Sequence, residues 1–325
     1  MHSRRRFVVS SLAAGLAVPR ARAQAQEYPA RPVRIVVPFA AGGPADIYAR
    51  FLGQRLSETL GQAFVVENKP GAGAVIGTQE VVRSAPDGHT LLLMSNTHTV
   101  NETLIPNRGY QLLRDFSPVA PINYSDLVLV VHPSLQVSTL PDLIRLARTR
   151  PRMLNYASSG PGTPYHMAGE LFKSMAGLEI THVPYKGSAG ARTDVLAGHV
   201  QMMFDAVTTM APAARGGKVV ALATTGRARS SVMPEVPTVS EAGVPGYEAV
   251  IWLGLLAPAG TPAAIVSKLN AEVSRLTSRA EVRQEWARQG AVPMAMPVDE
   301  FTRYLRADID KWADIVRISG AKAGE

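Results

Sequence analysis

The chain has 325 residues, a formal charge of +8 at pH 7, 46% apolar residues and no cysteine. The missing cysteine excludes disulfides, thiolate metal sites and a cysteine nucleophile. Arg4, Arg5, Arg6, Arg20 and Arg22 all fall within the first 25 residues with no acid beside them, so the rest of the chain carries only about +3. That remainder is scattered, which argues against nucleic-acid binding.

In chain order, the first element is an export signal. A basic start (Ser3-Arg4-Arg5-Arg6-Phe7), an apolar run from Val8 to Val18 and small residues at Ala21, Ala23 and Ala25 place cleavage after Ala23 or Ala25. The apolar run is too short to span a bilayer, which needs about 20 residues. The arginines fit a twin-arginine signal as well as an Arg-rich Sec signal. No later stretch is long and apolar enough to be a membrane helix.

The mature chain alternates short apolar runs with helical periodicity, the pattern of an α/β sheet. Strands are predicted at 34–39, 63–67, 90–94, 127–131, 154–158, 180–183, 200–204 and 219–224. Several are apolar without alternation, as in strands covered on both faces. Helices are predicted at 44–60, 140–148, 164–176, 262–276 and 299–317. In the last, Phe301, Leu305, Ile309, Trp312 and Val316 form one apolar stripe that should pack on a lobe. The stretches 118–131 and 246–258 read as connections between lobes. If both are crossings, residues 26–125 and 247–325 form one lobe and 126–246 the other.

Two elements share one plan, a strand, then a Gly loop, then a helix opening with proline. They are RIVVPF-AAGG-PADIYARFL and LNYASS-GPGT-PYHMAGELF. Gly43 and Thr163 take the N-cap position, and Pro44 and Pro164 follow, where a missing N–H costs nothing. The first turn of a helix leaves N–H groups without partners, and its dipole favours an anion. Two such loops facing each other could hold a carboxylate without Lys or Arg. Both are equally readable as ordinary βα turns. Asp46, in the first turn, would complement the dipole but repel a carboxylate placed beside it.

The strings YPARPVRIVVPFAAGGPAD, VVENKPGAGAVIG, APDGHTLLLMSNTHTVN, LNYASSGPGTPYHMAGELF, HVPYKGSAGARTDVLAGHVQMMFD and WLGLLAPAGTP resemble the Bug-type receptors, periplasmic solute-binding subunits of tripartite tricarboxylate transporters. The resemblance covers essentially the whole mature chain. It implies a two-lobed, type II-like periplasmic-binding-protein fold with a Venus-flytrap hinge. It also implies a small carboxylate ligand held by backbone groups and ordered water, membrane permease subunits as partners, and no cofactor. The first loop carries over to Phe39, Ala40, Ala41, Gly42, Gly43 and Asp46. The second carries over to Ser158, Ser159, Gly160, Gly162, Thr163 and His166. Ser95, Asn96, Thr97 and Asp205 complete the expected cleft. Pro161, Pro164 and Tyr165 depart from the family's second loop, and Arg192 stands where an apolar residue is usual. If it faces the cleft, Arg192 could pair with a second carboxylate; a solvated helix face is the alternative.

Other residues keep two readings. His166 either braces its loop or touches ligand, Asp205 either caps a following helix or lines the cleft, and Trp252 lines the hinge or packs in the core. Gly71–Gly77 (GAGAVIG) has the wrong spacing for a dinucleotide fingerprint and reads as a structural turn. There is no G-x-S-x-G elbow, no H-E-x-x-H and no clustering of the seven histidines. The expectation is therefore a monomeric, exported binding protein that is not an enzyme and holds no metal. A sensing protein without a permease, or a hydrolase on the same scaffold, is the competing class.

Overall fold

Residues 28–322 are described by a computed structural model, and the expected signal at 1–25 lies outside them. In chain order the elements are β1 (Val33–Val37), α1 (Pro44–Leu60), β2 (Phe64–Asn68), α2 (Val75–Val82), β3 (Thr90–Ser95), α3 (Thr97–Leu104) and α4 (Leu112–Asp115). There follow β4 (Phe116–Val131), α5 (Leu140–Thr149), β5 (Asn155–Ser158), α6 (Pro164–Ala176), β6 (Thr181–Pro184), α7 (Ser188–Leu196), β7 (Met202–Ala206), α8 (Val207–Arg215) and β8 (Val220–Thr224). The chain closes with β9 (Val250–Pro258), α9 (Ala263–Thr277), α10 (Ala280–Gln289), β10 (Ala291–Pro293) and α11 (Val298–Ser319).

β4 joins two lobes. Its residues Phe116–Asp126 run antiparallel to β9, which in turn pairs with β3, and β3, β1 and β2 are parallel. Beyond Asp126 the same strand changes partners. Leu127–Val131 lie between β7 and β8, and β7, β5 and β6 continue in parallel. One lobe is thus built on β1–β3 and β9, the other on β5–β8, and β4 belongs to both.

The continuous apolar runs have a direct cause, because each strand feeds two cores. Val33, Ile35 and Val37 of β1 and Leu91 and Leu93 of β3 pack in one cluster, while Val36, Leu92 and Met94 pack in the cluster on the opposite face. In the second lobe Leu127, Leu129 and Val131 point one way and Val128 and Val130 the other. Period-two geometry places apolar cores on both faces, so most positions on these strands are apolar; in β1 only Arg34, which pairs with Glu67 and Glu80, is polar.

α1 and α6 have the predicted bounds. Each starts at its proline and ends at a left-handed glycine, Gly61 or Gly177. The stretches read as connections between lobes are largely strand. Pro118 and Pro121 make 118–131 look irregular, yet both lie within β4, whose register against β9 shifts between Pro118 and Ala120 and again between Pro121 and Asn123. Such irregularities accommodate residues that cannot donate to a ladder. α11 bridges the lobes: Phe301 and Leu305 pack in a first-lobe core, while Trp312 and Val316 pack with Tyr165 and Phe172 of α6. Trp252 is core, 1% exposed, with its indole N–H donating to Asp308.

Candidate ligand cleft

The two Gly-loop helices use the same local device. In the first loop the backbone N–H of Gly42 donates to the Asp46 carboxylate at 3.0 Å. In the second the N–H of Gly162 donates to Nδ1 of His166 at 3.1 Å. Each acceptor is the third residue of its helix, and each donor is a glycine four residues earlier with left-handed φ, +80° at Gly42 and +72° at Gly162. A side chain thus fixes the loop, and the loop cannot fold this way without glycine. Thr163 adds the expected cap by accepting from the His166 N–H.

The two acceptors are tuned differently. Burial raises the Asp46 carboxyl, but the hydrogen bonds from Arg50 and Gly42 outweigh it and hold the group below the ordinary carboxylate range. His166 is pushed down to about 3 by burial, with His182 and Lys173 adding to the effect. It is therefore neutral at ordinary pH. Because Nδ1 accepts from Gly162, the proton sits on Nε2, towards Glu170 at 3.9 Å. Neither side chain lines the cleft, so both brace the loops that do.

Between the loops lies a narrow cleft. Its walls include Phe39, Ala40, Gly43 and Ser95 from the first lobe and Ser159, Thr163 and Tyr165 from the second. Gly187 and Ser188, at the start of α7, also line it, as does Ile251 at the start of β9. Three helix N-termini, of α1, α6 and α7, therefore meet at one cleft. The first-turn N–H groups of such helices have no intrahelical acceptor. No wall residue is an acid, a lysine or an arginine.

The remaining expected residues stand back from this cleft. Ala41 and Gly42 face solvent. Gly162 packs against Asn101 and Leu104 of the other lobe, where a Cβ would lie 2.8 Å from the Asn101 side-chain oxygen. Asn96 and Thr97 are fully buried under the wall, with Asn96 donating to the Val250 carbonyl and Thr97 bonded to Ser95. Gly160 lines an adjoining outer chamber together with Ser159 and Thr163.

Asp205 is fully buried, accepts from the Ala206 N–H at 2.8 Å and is paired with Arg192 Nε at 2.9 Å. Burial raises its carboxyl above the usual value and Arg192 pulls it back. Arg192 is thereby committed to Asp205 and does not reach the cleft wall, whereas Tyr165 does. Ser158 is also fully buried, with its hydroxyl 2.6 Å from His182 Nε2. This serine–histidine contact lies behind the loop, where no substrate carbonyl can approach, so it braces and does not attack.

Sequence reasoning missed Gly187, Ser188 and Ile251 in the cleft wall, and His182 as a brace behind it. The only local signal was the KGSAG string, since a glycine before a serine-started helix has the same form as the two loops it did read.

The chain matches the family model described as the tripartite tricarboxylate transporter family receptor over residues 48–320. Protein BugT of Bordetella pertussis is 38% identical over 311 residues, 95% of this chain and 94% of its own length. Among solved structures, R. palustris Rpa4515 with adipate superposes with a TM-score of 0.88 at 37% identity, covering 91% of this chain and 99% of that one. MatC from Rhodopseudomonas palustris with bound malate gives 0.84 at 34% identity, over 89% of this chain and 100% of its own. The periplasmic binding protein BugD gives 0.86 at 32% identity, over 91% and 99%.

Proposed function

The chain belongs to the tripartite tricarboxylate transporter receptor family, and from that premise we propose that it is a periplasmic binding protein that closes two lobes on a small organic carboxylate. It is a receptor and not an enzyme. The observation that carries this reading is the opposition of three helix N-termini across a cleft without ionised walls. With no cation in the wall, the positive ends presented there are backbone N–H groups at helix starts and the hydroxyls of residues such as Ser159 and Ser188; each helix terminus is worth about 0.3–1 kcal/mol to an anion, up to about 2 kcal/mol when partly buried. Recognition by backbone also avoids burying an uncompensated cation if the lobes close without ligand.

The ligands of the similar structures support the same chemistry. Adipate and malate are both small dicarboxylates. We assign contact with the ligand to Phe39, Ala40, Gly43, Ser95, Ser159 and Thr163 of the expected set, joined by Tyr165, Gly187, Ser188 and Ile251. Asp46, His166, Ser158 and Asp205 hold these residues in place. We further propose that residues 1–25 direct export, that the protein acts as a monomer, and that closure presents the loaded receptor to a membrane permease. Among the described residues no helix is long and apolar enough to cross a membrane.

A thermal-shift screen tests the reading. At a hundredfold excess over Kd, a ligand that binds only the folded state adds about 2.7 kcal/mol. Aliphatic or aromatic carboxylates should raise the melting temperature of the mature protein. If none does, while a sugar or a cation does, the assignment is wrong.

A further inference from the structure

The cleft does not end at Ser159 and Thr163. These two residues and Phe39 also line a larger chamber of about 500 Å³ that opens between the lobes. One side is the Gly71–Val75 turn leading into α2, and the other is Gly160, Pro161, Pro184, Tyr185 and Lys186. The lobes approach closely around it: a Cβ on Gly73 would lie 3.0 Å from the Pro161 carbonyl oxygen. Inner cleft and outer chamber thus adjoin and share Phe39, Ser159 and Thr163 as a common wall.

The two parts differ in charge. The inner cleft carries no ionised side chain, whereas the outer chamber carries Arg108 and Lys186 and no acid. The two cations are not equivalent. Arg108 is 6% exposed and answered by Glu102, with contacts at 3.0 and 2.6 Å. Lys186 is exposed, and no partner holds it among the described residues. It is also next in sequence to Gly187 and Ser188, which line the inner cleft. A ligand held at the α7 N-terminus therefore has the Lys186 side chain one residue away, on the outer side.

We propose that the outer chamber receives the distal end of the ligand and that Lys186 is the residue that selects a second carboxylate there. This rests on the carboxylate-binding reading above and narrows it. The receptor takes extended dicarboxylates, with one carboxylate among the backbone N–H groups of the inner cleft and the other at the Lys186 ammonium. Lys186, unlike the backbone groups, contributes a net charge, so it discriminates a dianion from a monoanion of the same length. Lys186 is exposed, so solvent screening holds its pairing below the full strength of a charge-assisted hydrogen bond, at roughly a five- to tenfold preference.

The test is calorimetric titration of the mature protein with a series of α,ω-dicarboxylates from succinate to suberate and with their monomethyl esters. Wild type should bind the best diacid about five- to tenfold more tightly than its half-ester. Lys186→Gln should bring the diacid down to the half-ester level and leave the half-ester within about twofold. Lys186→Arg should keep most of the preference. The diacid preference should also shrink as NaCl is raised. Equal loss for diacid and half-ester in Lys186→Gln, or no loss for either, overturns the role of Lys186 while leaving carboxylate binding intact. Wild type that binds no member of either series overturns the dicarboxylate proposal; the carboxylate reading beneath it falls only if the thermal-shift screen also finds no carboxylate that stabilises the protein.

Discussion

The loops at Gly42–Gly43 and Gly162–Thr163 depend on single side chains in a way that local spacing only half reveals. Glycine before proline at a helix start is legible in sequence, and so is an anion-favouring dipole. The bracing contact is not. Asp46 and His166 are chemically unlike, one an ionised acceptor and one a neutral imidazole, yet each accepts the N–H of a glycine four residues earlier. Only the fold brings out that equivalence. Gly43 has ordinary φ, −88°, so a side chain there meets no backbone strain, but a Cβ would stand 3.2 Å from Ser188 Oγ across the cleft. Gly43→Val should therefore weaken carboxylate binding about a hundredfold, roughly 2.7 kcal/mol, with the ligand-free melting temperature nearly unchanged. Wild-type affinity in a titration of this variant would remove the first loop from the site.

At the scale of elements, Asp308 ties three together. Its carboxylate accepts from Thr99 of α3 at 2.6 Å and from the Trp252 indole of β9 at 3.1 Å, and it lies on the bridging helix α11. Burial raises its pKa to about 6, against the pull of these donors. The folded state thus holds a proton more tightly than the unfolded chain does. The stability this confers is present at low pH and is lost as pH rises from about 4 through about 6, an effect of up to about 3 kcal/mol. Asn keeps an oxygen for both donors and carries no charge. Asp308→Asn should therefore gain stability relative to wild type between pH 4.5 and 7, measured by denaturant unfolding at each pH. Parallel curves for the two proteins would refute this.

Elements also differ in how readable they were. α1 and α6 were legible because proline, glycine and periodicity agree at both ends. β4 was obscured by Pro118 and Pro121, which only its shifted register tolerates. α2, α3 and α7 are 8 or 9 residues long. That is little more than two turns, too short for an apolar stripe to stand out from loop composition.

For the whole molecule, the proposed function rests on closure, and glycines let the lobes touch. A Cβ on Gly187 would lie 2.7 Å from the Ala40 Cβ of the facing lobe, although φ of 169° at Gly187 suits any residue. Gly187→Ala should fold normally and fail to close fully. Small-angle scattering on wild type should show a smaller radius of gyration with saturating carboxylate, and the variant should show little change. A variant that contracts as wild type does would show that this contact does not limit closure.

The sequence by itself determined the alternating α/β plan, the two Gly-loop helices and the absence of thiol chemistry, because these follow from local periodicity, proline and glycine placement, and composition. Its family resemblance extended that to a carboxylate receptor. Only the tertiary structure decided which residues line the cleft. Lining depends on how strands from distant segments are ordered, and that order set Asp205 against Arg192 behind the wall and brought α7 forward to complete it. The uncharged inner wall and the lone lysine beyond it are likewise facts of packing, since no spacing in the chain distinguishes Lys186 from any other surface cation.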